Sequence, residues 1–249
     1  MEGFGPFADP VTVDFEHADL FALVGPTGSG KTSITSLTHR FYEVDSGCVL
    51  VGGHDVRDLT LESLGRNIAM VLQEPFLFSG TVLENIRYSS NTASRDEIVA
   101  AAKAVRAHDF IVKLPDGYET QLGQRGCNLS LGQRQLLSFA RALVAKPQIL
   151  ILDEATANID SFTEQDIQKA LKVLFAGRTC LVVAHRLGTI RDADRIIVLQ
   201  QGRITEQGNH DQLLARGGLY ASLYSSAYAS FDDISPDVEK QIERVVTHT

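Results

Sequence analysis

Three glycines and a lysine in a short stretch, Gly25-Pro26-Thr27-Gly28-Ser29-Gly30-Lys31-Thr32, constrain this chain more than any other feature, because the residues on either side have opposite periodicities. Before the stretch, Leu20 to Val24 is a continuous apolar run ending at glycine, the pattern of a strand buried on both faces of a parallel sheet. After it, Ile34, Leu37 and Phe41 recur at helical spacing. A glycine-rich turn between such a strand and helix makes an anion cradle. Successive backbone N–H groups can face one anion, and the helix N-terminus adds its dipole. In this pattern, the P-loop, the lysine reaches the β- and γ-phosphates of a nucleoside triphosphate and the following hydroxyl ligates Mg²⁺. Lys31 and Thr32 take those roles, and Gly25 through Thr32, with Ser33 after them, are the predicted nucleotide contacts.

The remaining pattern supports an α/β fold. Ile149 to Leu152 and Thr179 to Ala184 read as two further buried strands. Between them lies a helix with a capping box at Ser161 and Glu164, an apolar face of Ile167, Ala170, Leu171 and Leu174, and Gly177 at its end. Strand, helix, strand in this rhythm predicts a right-handed parallel core. From about residue 81 to 145 helical signals dominate: capping boxes at Thr81/Glu84 and Ser94/Glu97, and a face of Ile98, Ala101, Ala102 and Val105. Val11 to Phe15 alternates like an edge strand, and Ile196–Leu199, Gln201-Gly202 and Arg203–Thr205 read as a hairpin. The tail after Ser225 is polar, with a short helix predicted through Val238, Ile242 and Val245. The expected architecture is a P-loop NTPase core, a mixed, mostly parallel sheet flanked by helices, with an inserted helical subdomain and a small antiparallel β part. The expected boundaries are 1–73 and 146–222 for the RecA-like core, 74–145 for the helical insertion and 223–249 for the tail.

Chemistry gathers at strand ends. In parallel α/β sheets ligands sit beyond the carboxyl ends of the strands. Asp153, closing Ile149–Leu152, is therefore predicted to point at Mg²⁺ through water, and Glu154 to polarise the attacking water. His185 follows the strand ending at Ala184 and is expected on the γ-phosphate side. Downstream, Asn128-Leu129-Ser130-Leu131-Gly132-Gln133-Arg134-Gln135 opens a helix with an apolar face of Leu136, Leu137, Ala140, Leu143 and Val144, closed by Lys146-Pro147. It is a second anion-binding helix start, with Ser130 as its cap and backbone N–H groups open beside Gly132.

Bulk properties remove other classes. The 249 residues carry a formal charge of −8 and show no Lys/Arg block, so a nucleic-acid surface lacks electrostatic support. Cys48, Cys127 and Cys180 are widely spaced and match neither a metal site nor a disulfide framework. No apolar run approaches the roughly 18 residues a membrane helix needs. A guanine-reading Asn/Thr-Lys-x-Asp is absent from the sequence.

Leu129-Ser130-Leu131-Gly132-Gln133 resembles the LSGGQ element of ABC ATPases, and other segments follow in that family's order. Gln73-Glu74-Pro75 with Phe76 to Val82 is similar to the Q-loop, Ala157-Asn158-Ile159-Asp160 to the D-loop, and His185-Arg186-Leu187 to the switch histidine. Thr120 to Gly126, Phe78 to Thr81 and Ala155 to Asp160 resemble the exporter branch, and the likeness runs from about residue 7 to 222. The resemblance implies a fold and a function. Two motor domains, identical or related, stack head to tail, so that each P-loop faces the other's LSGGQ helix across ATP. Gln73 touches Mg²⁺ and water and relays to a transmembrane domain, carried on the same polypeptide or another. Hydrolysis then drives substrate movement, as export, at the cytoplasmic face of the cell membrane. Two rival readings, a soluble non-transport ABC ATPase and a non-hydrolysing ATP-binding dimer switch, predict basic patches or coiled-coil insertions in the first case and loss of Glu154 or His185 in the second. Neither feature is present. Departures from the family pattern are Leu131 at the middle glycine of LSGGQ, Gln124 where a glutamate is usual, and only Phe4 or Phe7 to stack on adenine. The last leads to the expectation that the chain is the C-terminal part of an exporter whose membrane helices precede Met1.

Overall fold

The computed structural model describes residues 19–153, 161–184 and 187–229. In chain order the first half contains strand β1 (Leu20–Val24), helix α1 (Lys31–Thr38), β2 (Leu50–Val51), β3 (His54–Asp55), α2 (Leu61–Asn67), β4 (Ile68–Val71), β5 (Gly80–Thr81), α3 (Val82–Arg87), α4 (Arg95–Ala104), α5 (His108–Ile111) and β6 (Gln121–Leu122). Then come α6 (Leu131–Val144), β7 (Ile149–Asp153), α7 (Ser161–Phe175), β8 (Thr179–Val183), α8 (Leu187–Arg191), β9 (Arg195–Gln200), β10 (Arg203–Gly208), α9 (His210–Arg216) and α10 (Leu219–Ala229). The chain divides into two compact units at cuts after Ile34 and after Val183. This α/β arrangement, rich in parallel pairing and flanked by helices, is the fold class expected from the sequence.

In the unit formed by Thr35–Val183, β4, β7 and β8 lie side by side and parallel, with Val71 opposite Leu152 and Asp153 opposite Val183. The apolar runs of β7 and β8 are buried on both faces: Leu150, Ile151, Leu152, Cys180 and Val182 are at most 1% exposed. Helix α6 packs against α3, α4, α7 and β4. The predicted face of Leu136, Leu137, Ala140 and Val144 is buried, while Leu143 is half-buried. Phe139 and Ala142 are buried too, so this helix is enclosed on more sides than one apolar stripe announces. A large-to-small change at a fully buried position such as Leu137 costs about 2–5 kcal/mol, because the lost transfer energy is joined by a cavity. The predicted face of α7, Ile167, Ala170, Leu171 and Leu174, is likewise buried. That helix begins at Ser161 itself, whose side chain lies outside the described residues.

Both central capping boxes form: Thr81 with Glu84 on α3 and Ser94 with Glu97 on α4. One expectation needs correction. Phe41 does not continue the apolar face of α1; the helix ends at Thr38, and Phe41 is 62% exposed, stacked on His39. Arg40 takes a left-handed conformation (φ 56°), and its guanidinium donates to the carbonyls of Val56, Arg57 and Leu59, turning the chain away.

In the other unit β1 pairs in parallel with β9, Leu23 opposite Ile197, and β9 pairs antiparallel with β10. The predicted hairpin turn is there: Gln201 (φ 49°) and Gly202 (φ 71°) adopt the left-handed pair that a two-residue turn requires. The helices α9 and α10 were not anticipated. They are held by His210, whose Nδ1 hydrogen-bonds the buried Tyr220 hydroxyl at 2.7 Å, and by Glu206, which accepts from the Leu219 and Tyr220 N–H groups at the start of α10. The strand at Val11–Phe15 and the helix through Val238, Ile242 and Val245 lie outside the described residues.

Glu97 provides a test of these local forces. Its carboxylate accepts from Lys146 at 2.9 Å and from the Ser94 N–H at 3.0 Å. The Lys146 hydrogen bond, then the Ser94 backbone bond, hold its pKa down to about 2 from 4.5. A depressed carboxylate stabilises the fold above its ordinary pKa and loses that contribution as the pH falls through the folded value. Glu97→Gln, which keeps the cap but drops the charge, is expected to melt below the parent at neutral pH. Thermal melts of the two should converge as the pH falls from 4.5 toward about 2.

Candidate nucleotide-binding site

The loop from Gly25 to Gly30 leaves β1 and turns straight into α1. Gly25 (φ 154°) is a position only glycine fits, since a Cβ there would collide with the Leu199 carbonyl oxygen and sit 2.8 Å from Ser29 Oγ. The loop is tied down on two sides. Ser29 N–H donates to the Pro26 carbonyl at 3.2 Å, and Gly202 N–H, in the β9–β10 turn, donates to the Ser29 carbonyl at 3.2 Å. Ile34 N–H reaches the Gly30 carbonyl at 3.1 Å, so helical bonding begins within the glycine sequence.

Lys31 is 7% exposed, and its ammonium folds back over the loop. Nζ donates to the Gly25 carbonyl at 2.6 Å and the Pro26 carbonyl at 2.9 Å, with Ser29 Oγ at 3.5 Å. A buried ammonium needs such acceptors, and these place the charge across the loop mouth beside exposed Pro26, Thr27 and Gly28. Thr32, the second residue of α1, is exposed and Ser33 half-buried. The donor set suits a polyphosphate: one fixed cation, a glycine-bearing turn, a helix start and a hydroxyl.

In the Thr35–Val183 unit the strand register assembles a second group. Val71 is opposite Leu152, so Asp153, the last residue of β7, is level with Leu72, and Gln73 is one residue beyond. Gln73 is exposed and Asp153 half-buried on this carboxyl rim. The same unit carries the second predicted helix start. Ser130 is the N-cap of α6; its Oγ accepts from Gln133 N–H at 3.2 Å, and Gln133 Oε1 accepts from Ser130 N–H at 3.0 Å. The reciprocal box was readable as Ser-x-x-Gln, which adds a positioning duty to Gln133. Leu129 is buried beneath the cap, Leu131 is half-buried as the first helical residue, and Gly132 is buried. Glu154, Asp160 and His185 lie outside the described residues, as do Phe4 and Phe7.

Sequence reasoning missed the residues packed against the far end of this helix. Arg141 and Asn85 form a polar junction under the exposed rings of Phe76, Phe78 and Tyr88. The only advance signal was a charge within the otherwise apolar Ala140-Arg141-Ala142, and a sequence does not tell what such a charge meets.

Parallel strand pairing with a glycine-rich loop between a buried strand and a helix defines a P-loop nucleotide-binding protein. Comparison with known proteins narrows this class. The family described as "ABC transporter" matches residues 8–157. The chain is 56% identical over 220 residues to "Uncharacterized ABC transporter ATP-binding protein YknV" of Bacillus subtilis (strain 168), covering 88% of this chain and 36% of that protein. It is 49% identical over 219 residues to "ATP-dependent lipid A-core flippase" of Syntrophus aciditrophicus (strain SB), covering 88% of this chain and 36% of that one. Among solved structures, a bacterial Atm1-family ABC exporter with ATP bound superimposes with a TM-score of 0.78 at 44% identity, over 88% of this chain and 38% of that chain. The chain belongs to the ABC transporter family, whose ATP-binding domains use ATP hydrolysis to drive transport, and it spans about a third of the length of the relatives it matches.

The close approach at Gly25 can be tested directly. Gly25→Ala should lower the unfolding free energy by at least about 1 kcal/mol, the low end for forcing a side chain into a disallowed backbone conformation. Chemical denaturation measures it, and an unchanged midpoint would contradict the packing of the loop on Leu199.

Proposed function

We propose that this chain is the ATP-hydrolysing motor of an exporter, acting with a second such domain, identical or related, and with a transmembrane domain on the same or another polypeptide. One observation carries the reading: the chain has two anion-receptive helix starts, the lysine-bearing glycine loop before α1 and the Ser130-capped start of α6. A single nucleotide needs only the first. The second finds a use when two copies pair head to tail, each Ser130 facing the nucleotide of the other, and a two-fold axis makes two equivalent sites. Because Ser130 Oγ accepts from Gln133 N–H, its own hydroxyl proton remains available to donate to a phosphate oxygen.

Within each site Lys31 neutralises the β- and γ-phosphates, and Gly25, Pro26, Thr27, Gly28, Ser29, Gly30 and Ser33 line the cradle. Thr32 and Gln73 would hold Mg²⁺ directly, with Asp153 holding it through water. The ion, when bound, offsets charge on the transferred phosphoryl group. Among the described residues no cluster of three His, Cys, Asp or Glu could hold a metal. Glu154 is assigned to the attacking water, His185 to the γ-phosphate and Asp160 to the contact between copies.

Export and the membrane partner are supported by the relatives' names, which include a flippase and a "Fatty acid ABC transporter ATP-binding/permease protein" of Mycobacterium bovis, 49% identical over 205 residues. Among the described residues no helix is long and apolar enough to cross a membrane. The exposed Leu72, Phe76 and Phe78, following β4 beside Gln73, supply an apolar face on which such a partner would bear at the cytoplasmic side of the membrane. We assign 1–73 and 146–222 to the ATP-binding core, 74–145 to the LSGGQ-bearing subdomain and 223–249 to the tail.

Glu154→Gln is expected to slow steady-state ATP hydrolysis at least about 100-fold, the low end for a lost general base, while ATP-dependent pairing persists in gel filtration. Unchanged turnover would remove Glu154 from the chemistry. Lys31→Ala should abolish the ATP-dependent rise in melting temperature; a retained rise would place the phosphates elsewhere.

A further inference from the structure

Near the C-terminal end of α6 lies a junction that the nucleotide chemistry does not use. Asn85 of α3 is 2% exposed. Its Oδ1 accepts from Phe78 N–H at 2.9 Å, and its Nδ2 donates to the carbonyls of Phe78 at 2.9 Å and Thr81 at 3.0 Å. The amide thus clasps the stretch that follows Gln73. Arg141, about three helical turns beyond Ser130 on α6, enters the same junction. Nε donates to the Asn85 carbonyl at 2.9 Å, Nη2 to Asn85 Oδ1 at 3.1 Å and Nη1 to the Phe76 carbonyl at 2.9 Å.

The guanidinium also lies 5.5 Å from the Phe78 ring centroid and 5.6 Å from that of Tyr88, and the two rings stack on each other at 4.1 Å. Burial pushes the Arg141 pKa down, and the partners that hold the charge are carbonyl dipoles, an amide oxygen and aromatic faces. A planar fork can address all of them at once; a lysine ammonium cannot. A backbone ladder runs alongside. Gly80 pairs with Leu122 and Thr81 with Gln121, and Val82 N–H donates to the Thr120 carbonyl at 3.1 Å. The outer side of this assembly is open: Phe76 is 46% exposed, Phe78 36% and Tyr88 59%.

We infer that Asn85 and Arg141 are positioning residues that join the segment Phe76–Tyr88 and helix α6 into one mechanical body, so that a displacement of the exposed aromatic face is delivered to Ser130. This rests on the reading that Ser130 meets the nucleotide of a second copy. The link works through rigidity. The guanidinium bonds converge on the buried Asn85 amide and its clasp, so sliding the segment along α6 would break several hydrogen bonds at once and leave the Asn85 side chain without partners.

Amide hydrogen exchange on the full chain in the Glu154→Gln background, with and without Mg-ATP, tests the inference. In that parent, Leu129–Gln133 and Phe76–Phe78 are expected to gain protection together. Arg141→Lys should leave the gain at Leu129–Gln133 and lose it at Phe76–Phe78, with the latter exchanging about tenfold faster even without nucleotide, as expected for lost hydrogen bonds to a charged donor. Asn85→Asp, which retains the acceptor for Arg141 but removes the amide donors to Phe78 and Thr81, should separate the two responses in the same way and serves if Arg141→Lys fails to fold. A purely structural role would lower stability without uncoupling the responses. Both segments still gaining protection together in a folded variant would overturn the inference and leave the nucleotide reading standing. Absence of any gain at Leu129–Gln133 in the parent would overturn that reading and the inference with it.

Discussion

Parallel pairing of buried apolar strands is the constraint from which the rest of this protein follows. Strands paired in this way must be joined by crossovers, so they present their carboxyl ends in one direction. In the Thr35–Val183 unit this brings Gln73 and Asp153 to a common rim, because Val71 lies opposite Leu152. In the other unit β1, paired in parallel with β9, releases the glycine loop at its carboxyl end. The strands are almost wholly buried, and polar chemistry is displaced to the loops that follow them, where backbone N–H groups and charged side chains can meet a ligand.

Two charges show how the fold arranges polar groups before any ligand arrives. The Lys31 ammonium rests on the Gly25 and Pro26 carbonyls, oriented by a loop that is itself pinned to the β9–β10 turn. The half-buried Arg141 guanidinium lies between aromatic faces and the Asn85 amide. The first charge is held where an anion would be received. The second binds one segment to another. Both are expensive to bury, and both are matched by acceptors that leave little freedom of movement.

Much of this was legible in the residues. Gly25 through Lys31, the runs Leu20–Val24 and Ile149–Leu152, and the capping boxes at Thr81, Ser94 and Ser130 announce themselves because each depends on neighbours within a few positions. The exposure of Phe41 was not legible. Periodicity placed it on α1, but the helix stops where Arg40 finds carbonyls some sixteen to nineteen residues away. The helices α9 and α10 escaped notice for a similar reason: their anchors, His210 to Tyr220 and Glu206 to the start of α10, join separate elements. The two-residue ladder of Gly80–Thr81 with Gln121–Leu122 is too short to leave a pattern.

The sequence by itself determined the buried strands, the glycine turn with Lys31 and Thr32, the helix start at Ser130 and the family those motifs identify, since local sterics, periodicity and capping are written in adjacent residues. Tertiary structure alone decided that Gly25 abuts Leu199, that Lys31 turns back on its own loop, and that Arg141 grips Asn85 and Phe76 beneath exposed rings. Those contacts depend on where the chain returns in space, and the free energy of a buried charge is settled by the partners it meets there.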